Sequence, residues 1–140
     1  VSVECRAAED GPMLHGVVLA EGRAATGGRA ELFAPGAVTW PPDGIGIAVE
    51  HHGRAEVRAV PTRDAEGRIR VQAPATPAIF QAVQSGRRWL SVEFYSLREA
   101  RTAGGVREIQ RALVDQAALV SHPEYAHAQA EVRARRRVFL

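Results

Sequence analysis

The chain has 140 residues, of which 46% are hydrophobic and 24% are charged, and its net charge at pH 7 is +2. This composition is typical of a globular protein and excludes an intrinsically disordered chain, and the length predicts a single domain over residues 1–140. No apolar run approaches the roughly 20 residues that a membrane-spanning helix needs, so we expect no membrane span.

The basic residues are all arginines, and four of them lie close together at the end of the chain: Arg133, Arg135, Arg136 and Arg137. Such a tail can bind nucleic acid or an acidic partner. A solvated chain end is the more common explanation of a short basic run. We therefore do not expect a nucleic-acid partner.

The N-terminal part and the cysteine content predict a compartment. The first twenty residues contain acids and lack the apolar stretch of a secretory signal. The single cysteine, Cys5, can form neither an internal disulfide nor a zinc cluster. We expect the cytoplasm of a bacterium.

Alternation of apolar and polar residues predicts that most elements are strands. In chain order, the predicted strands are 1–6, 14–20, 45–50, 55–60, 68–72, 89–97, 106–120 and 129–138. Asp64, Glu66 and Gly67 predict a hairpin turn between the fourth and the fifth of these. The seventh is long enough for one bent strand or for a strand pair, and Gly104-Gly105 predicts the turn before it.

A single convincing helix is predicted after Thr76, which is a good N-cap residue, with Pro77 at the first helical position. An apolar stripe runs from Ile79 to Val83, and Gly86 can supply a left-handed C-terminal residue. Six to eight short strands with one or two helices predict a mainly β protein of the α+β class. We expect either a closed or nearly closed β-barrel or an α+β sheet.

Few residues can perform nucleophilic or acid–base chemistry. His51 and His52 follow a predicted strand, and adjacent strand residues point to opposite faces, so at most one of the two would face a site. Ser91 lies inside a strand between apolar neighbours. From the residues alone, a locally bonded serine and a solvent-exposed histidine pair are the more common explanations.

Metal and cofactor sites are not predicted. The spacing of His51, His52, His122 and His127 matches no zinc motif, and no glycine-rich phosphate loop follows a strand and opens a helix. We therefore expect neither a metal nor a cofactor.

Several motifs in the same order resemble those of tailed-phage prohead proteases, which are related to the herpesvirus assemblin-like proteases. The resemblance covers the chain from about Gly16 to Arg133. The motifs are Glu31–Val38, Gly46–His52, the helix Ile79–Gly86 followed by Trp89–Phe94, Leu119–Tyr125 and Ala130–Arg133.

The resemblance implies an assemblin-like β-barrel with peripheral short helices. It implies a serine endopeptidase that cleaves scaffold segments of a capsid protein, and possibly itself, during procapsid maturation of a tailed phage, a prophage or a gene-transfer particle. The implied partner is the major capsid protein or its scaffold segment, with self-association. The implied place of action is the assembling procapsid. Ser91 would be the nucleophile and His51 the general base, because a serine hydroxyl needs a base to take its proton.

The sequence departs from the family pattern at two positions. His52 stands where the family usually has aspartate, and Glu93 replaces a small residue on the strand face of Ser91. The Glu93 carboxylate could narrow the site or repel acidic substrates.

The third catalytic member must hold His51 in the right tautomer and stabilise its imidazolium, which a carboxylate does best. Asp115, in the strand that follows the nucleophile, ranks first. His122 is the alternative third member, because the herpesvirus enzymes use a second histidine. Gln116 adds no charge, and Glu50 should face away from the neighbouring His51.

Two other functions remain open at this point. A non-catalytic relative of the same barrel would act as a capsid assembly or scaffolding factor, and the missing family aspartate favours it. A basic binding module would use the arginine tail, and its DNA binding would depend on salt.

Overall fold

The computed structural model describes residues 11–22, 31–122 and 129–134. Within these ranges the chain forms ten strands and one helix. They are β1 (Pro12–Ala20), β2 (Glu31–Phe33), β3 (Val38–Thr39), β4 (Ile45–Ala48), β5 (Val57–Ala59), β6 (Thr62–Arg63), β7 (Arg68–Pro74), α1 (Pro77–Gln84), β8 (Trp89–Arg101), β9 (Arg107–Val120) and β10 (Gln129–Ala134). The predicted first strand, Cys5, His127 and Arg135–Arg137 lie outside the described residues.

The larger sheet is built around β9. Along one edge β9 pairs with β8 in antiparallel fashion, from Trp89 opposite Val120 to Arg101 opposite Arg107. Along its other edge it pairs in succession with the short parallel strands β2, β3 and β4. Strand β5 adds antiparallel to β4. Strand β9 therefore brings segments from most of the chain to one surface.

The smaller sheet has four strands in the order β10-β1-β7-β6, all antiparallel. Strand β7 alternates buried and exposed residues, with Ile69, Val71 and Ala73 directed inward. These residues join apolar side chains of the larger sheet and of α1 in a single buried cluster. The core therefore lies between the two sheets.

The predicted mainly β class is confirmed. The described strands do not, however, form the closed β-barrel that was one of the expectations. Neither sheet closes on itself through the described strands. The chain leaves the larger sheet after β5 and enters the smaller one at β6, and Pro61 separates the two strands. Proline has no N–H to donate, so it interrupts a ladder at this point.

The same change of sheet makes the predicted hairpin wrong. The turn at Asp64–Gly67 connects β6, not the segment Ala55–Val60, to β7. Asp64 stabilises this turn, since its carboxylate accepts hydrogen bonds from the backbone N–H groups of Glu66 and Arg68. The turn was predictable from local residues, but the strand that enters it was not.

The helix follows its prediction closely. The Thr76 hydroxyl oxygen accepts a hydrogen bond from the N–H of Ile79 at 3.3 Å, and Pro77 begins α1. Gly86 ends it with a φ of 106°. The described ranges contain no helix that is long and apolar enough to cross a membrane. The long segment before Pro123 is a single bent strand, β9, rather than a strand pair.

Candidate functional site

Ser91 lies on the face of the larger sheet that points away from the core cluster. Its neighbours Leu90 and Val92 belong to the cluster, whereas Ser91 does not. Ser91 pairs with Ala118 of β9, which in turn pairs with Ala48 of β4. All three side chains in this row are small and buried, and Ser91 is only 3% exposed. The described residues give its hydroxyl no hydrogen-bond partner.

The two histidines lie in a turn, which overturns the assumption that they are strand neighbours. Strand β4 ends at Ala48, and the chain bends before His51 and His52. The N–H of Gly53 donates to the carbonyl of Glu50 at 3.1 Å to close the turn. A Cβ at Gly53 would lie 2.9 Å from that carbonyl oxygen, so glycine is required here. Because the strand alternation does not apply, both histidines line the same groove.

Glu93 ties this turn to the sheet. Its Oε1 accepts a hydrogen bond from the backbone N–H of His52 at 3.1 Å and lies 3.1 Å from Nδ1 of the same residue. The Gln116 side-chain amide donates both to Glu93 Oε2 and to the carbonyl of Gly53, each at 2.9 Å. Glu93 and Gln116 therefore both bond the histidine turn, so Glu93 does more than narrow the site.

A β-bulge in β9 directs two polar side chains to the groove. Glu93 is opposite Gln116, but the next residue, Phe94, is opposite Val114. Asp115 is thus the extra residue of the bulge, and a bulge of this kind re-aims a side chain relative to strict alternation. Asp115 and Gln116, although adjacent in sequence, both line the groove.

The groove is an open depression with a volume of about 480 Å³. The His51 and His52 rings lie in it with centroids 6.1 Å apart. Tyr95 contributes an exposed aromatic side chain. The full lining is His51, His52, Val92, Glu93, Phe94, Tyr95, Asp115 and Gln116. Ser91 is not part of the lining and precedes its first β8 residue, Val92.

The candidates for the third catalytic member take different places. Asp115 lines the groove with His51, and Gln116 is bonded to Glu93. His122 is exposed, and its Nδ1 lies 3.1 Å from the hydroxyl of Ser121 outside the groove. Glu50 is exposed and contributes its backbone carbonyl to the turn.

The chemistry available in the groove is proton transfer and electrostatic stabilisation. Imidazoles can accept protons, and carboxylates can orient them and stabilise their charged form. No group of three or more histidine, cysteine, aspartate or glutamate residues is placed to hold a metal ion in the ranges that the structure describes.

A second carboxylate cluster, which the sequence did not reveal, joins the two sheets. Glu21 follows β1 and is 4% exposed. Its carboxylate accepts hydrogen bonds from the Arg63 guanidinium at 2.8 and 3.0 Å and from the N–H of Val38 at 2.9 Å. Burial alone would raise the pKa of Glu21, but the hydrogen bonds from Arg63 and Val38 outweigh it and lower the pKa. Arg63 also lies 5.4 Å from the centre of the Trp40 ring.

The groove, rather than the Glu21 cluster, is the candidate site, because it is open and collects groups that can transfer protons. Comparison with known proteins found no matching family model, no matching curated protein and no matching solved structure.

Proposed function

We propose that the protein is a serine endopeptidase that cleaves scaffold segments of a capsid protein, and itself, inside an assembling procapsid. The proposal includes an assemblin-like architecture and a particle of tailed-phage type: a phage, a prophage or a gene-transfer particle in a bacterial cytoplasm. The observation that carries it is the meeting of His51 and Asp115 in one groove beside the strand that carries Ser91. The order of sequence motifs supports the choice of substrate.

In this proposal His51 takes the proton of the Ser91 hydroxyl as the hydroxyl attacks the scissile carbonyl. His51 then gives this proton to the leaving amine, which leaves the acyl-enzyme. In the second half of the reaction His51 takes a proton from the attacking water and returns it to the Ser91 oxygen as the acid product leaves. Asp115 orients the His51 imidazole and stabilises its charged form. The groove lining contains two carboxylates, Asp115 and Glu93. We assign the role to Asp115 because Glu93 is bonded to His52.

The burial of Ser91 adds a requirement to this mechanism. Because Ser91 is only 3% exposed, its hydroxyl cannot meet a peptide carbonyl until the residues that cover it move. Substrate binding or self-association must therefore open the site. Such a requirement suits a protease that must not digest its substrate before assembly.

The same burial favours a second candidate function. A relative of the same fold without catalysis would act as a capsid assembly or scaffolding factor, and its serine could stay covered. In the described part of the chain neither His51 nor His52 bonds to the Ser91 hydroxyl, as this candidate expects. A test of the nucleophile separates the two functions.

The test uses a fluorophosphonate probe and a capsid-protein substrate. In wild-type protein co-expressed with the major capsid protein, whose binding would open the site, we expect the probe on the peptide that contains Ser91 and cleavage of the capsid protein. Ser91→Ala should abolish labelling and reduce cleavage by several orders of magnitude, while unfolding changes by only about 1 kcal/mol. Ser96→Ala is the matched control on the same strand, since the Ser96 hydroxyl bonds to Glu99 outside the groove. Labelling or cleavage that survives in Ser91→Ala would contradict the proposal and favour the assembly factor.

A further inference from the structure

We infer that Glu93 is a positioning residue that holds the histidine turn of the site through a three-point contact shared with Gln116. The inference rests on the proposed function, since it assigns Glu93 a role in presenting His51. Glu93 does not exchange protons with the substrate in this role. It fixes the backbone from which His51 projects.

The contact is specific in geometry. Glu93 Oε1 bonds the His52 N–H, and Gln116 fixes the other oxygen of the same carboxylate while donating to the Gly53 carbonyl. The peptide groups on either side of the His52–Gly53 peptide bond are thus held by two neighbouring strands. Bonds that involve a carboxylate are roughly twice as strong as those between neutral groups, so Glu93 contributes the stronger part.

The backbone of His52 explains why the turn needs to be held. His52 has a φ of 56°, in the left-handed region that residues with a Cβ rarely adopt. Its side chain is 90% exposed, so packing of the ring does little to fix this conformation. Strained backbone persists when its surroundings over-determine it. Here the Glu93 carboxylate, whose side chain is 18% exposed, bonds directly to the strained residue.

The bulge in β9 contributes to the same arrangement of Glu93, Gln116 and the histidine turn. It aligns Gln116 with Glu93 and leaves Asp115 facing the groove beside it. Asp115 is therefore free to act on His51, while Gln116 and Glu93 act on the turn. Two adjacent residues of one strand thus divide the tasks of orienting the imidazole and holding its backbone.

The first experiment measures backbone amide hydrogen exchange by NMR in the wild type and in Glu93→Ala, Gln116→Ala and the double variant. In Glu93→Ala we expect the His52 amide to exchange about tenfold faster or more, because it loses its acceptor. The double variant should exchange at least as fast as Glu93→Ala, since it also loses the bond from Gln116 to the Gly53 carbonyl of the same turn. Glu99→Ala is the control, because Glu99 lies on β8 but bonds Ser96 and Arg107. Unchanged exchange of His52 in Glu93→Ala overturns the inference.

The second experiment separates positioning from general stability. Glu93→Ala should lower kcat by roughly 10- to 100-fold with KM within about threefold and with a Tm only a few degrees below that of the control. Faster amide exchange with unchanged kcat would overturn the positioning role while leaving the peptidase intact. If wild-type protein neither cleaves capsid protein nor takes up the fluorophosphonate, the proposed function fails. The exchange data alone then decide whether Glu93 holds the turn.

Discussion

Two carboxylates in this protein bond backbone N–H groups of distant segments, and they differ in what surrounds them. Glu21 is buried between the sheets, where Arg63 and the N–H of Val38 saturate it. Glu93 lies at the edge of an open groove, where it bonds His52 and Gln116. The same chemical group therefore joins the two sheets in one place and holds a turn of a candidate site in the other.

The difference lies in the partner and in the access of water. The Arg63 guanidinium bonded to Glu21 keeps its charge under all physiological conditions, whereas Glu93 accepts hydrogen bonds from a backbone N–H and from the uncharged Gln116 amide. The Glu21 carboxylate is almost fully buried, so its loss would leave the N–H of Val38 without an acceptor, whereas the Arg63 side chain paired with it is 36% exposed. The Glu21 cluster should therefore contribute more to the stability of the fold than the more accessible Glu93 cluster. The following predictions test this contrast.

The largest effect is expected from the two histidines of the groove. His51→Ala should reduce cleavage of the capsid protein by roughly 10⁴- to 10⁶-fold, as expected for the loss of a general base. His52→Ala should reduce it by no more than about tenfold, because its backbone N–H can still bond Glu93. Rates of cleavage measured at equal protein concentration test this. Equal losses in the two variants would contradict the separate roles assigned to them.

The next largest effect concerns the third catalytic member. Asp115→Asn should lower the cleavage rate by roughly 10²- to 10⁴-fold without a change in the free energy of unfolding beyond about 1 kcal/mol. His122→Ala, which changes an exposed residue outside the groove, serves as the matched comparison and should retain activity. An inactive His122→Ala alongside a fully active Asp115→Asn would transfer the role to His122.

The stability of the fold should respond in the opposite way. Glu21→Ala leaves the buried N–H of Val38 without its acceptor, while the partly exposed Arg63 keeps its bond to the Val38 carbonyl, and we expect a cost of about 2–3 kcal/mol. Glu93→Ala removes a hydrogen-bonded group whose side chain is 18% exposed and should cost only about 1 kcal/mol. Urea unfolding of both variants measures the difference. Similar losses would show that the two clusters do not differ as their burial indicates.

The smallest effect is the acid dependence of the Glu21 cluster. The folded state lowers the pKa of Glu21 below its ordinary value of 4.5, so the ionised group stabilises the fold above that pH. This contribution is lost as pH falls through the folded pKa. When the pH falls from about 5 to about 3, the unfolding free energy of the wild type should therefore decrease more than that of Glu21→Gln. Asp64, whose pKa is also lowered, is common to both proteins and cancels from the comparison. Parallel pH profiles would contradict the assignment.

The local elements followed from the sequence where their determinants lie within a few residues. The cap of α1 involves Thr76 and Ile79, and the turn before β7 involves Asp64 and its near neighbours. The alternation in β8 placed Ser91 and Glu93 on one face, which the pairing with β9 confirms. Short-range hydrogen bonds and the two-residue period of a strand suffice for such predictions.

The sequence did not predict which strands pair with each other, because β5 and β6 are both very short. Only their pairing with β4 and β7 assigns them to different sheets. The two sheets, which do not close through the described strands, therefore differ from the β-barrel that the family resemblance implies, although the mainly β class follows from the sequence.

The residue types that can perform chemistry were determined by the sequence alone, and it ranked Ser91, His51 and Asp115 first. The tertiary structure decided the arrangement. His52 bonds a carboxylate 41 positions away, and Gln116 bonds a carbonyl 63 positions away. The bulge that turns Asp115 to the groove depends on a register set by the whole β8–β9 pair. Contacts of this range depend on how strands pair across the sheet, and a local pattern of apolar and polar residues carries no information about that pairing.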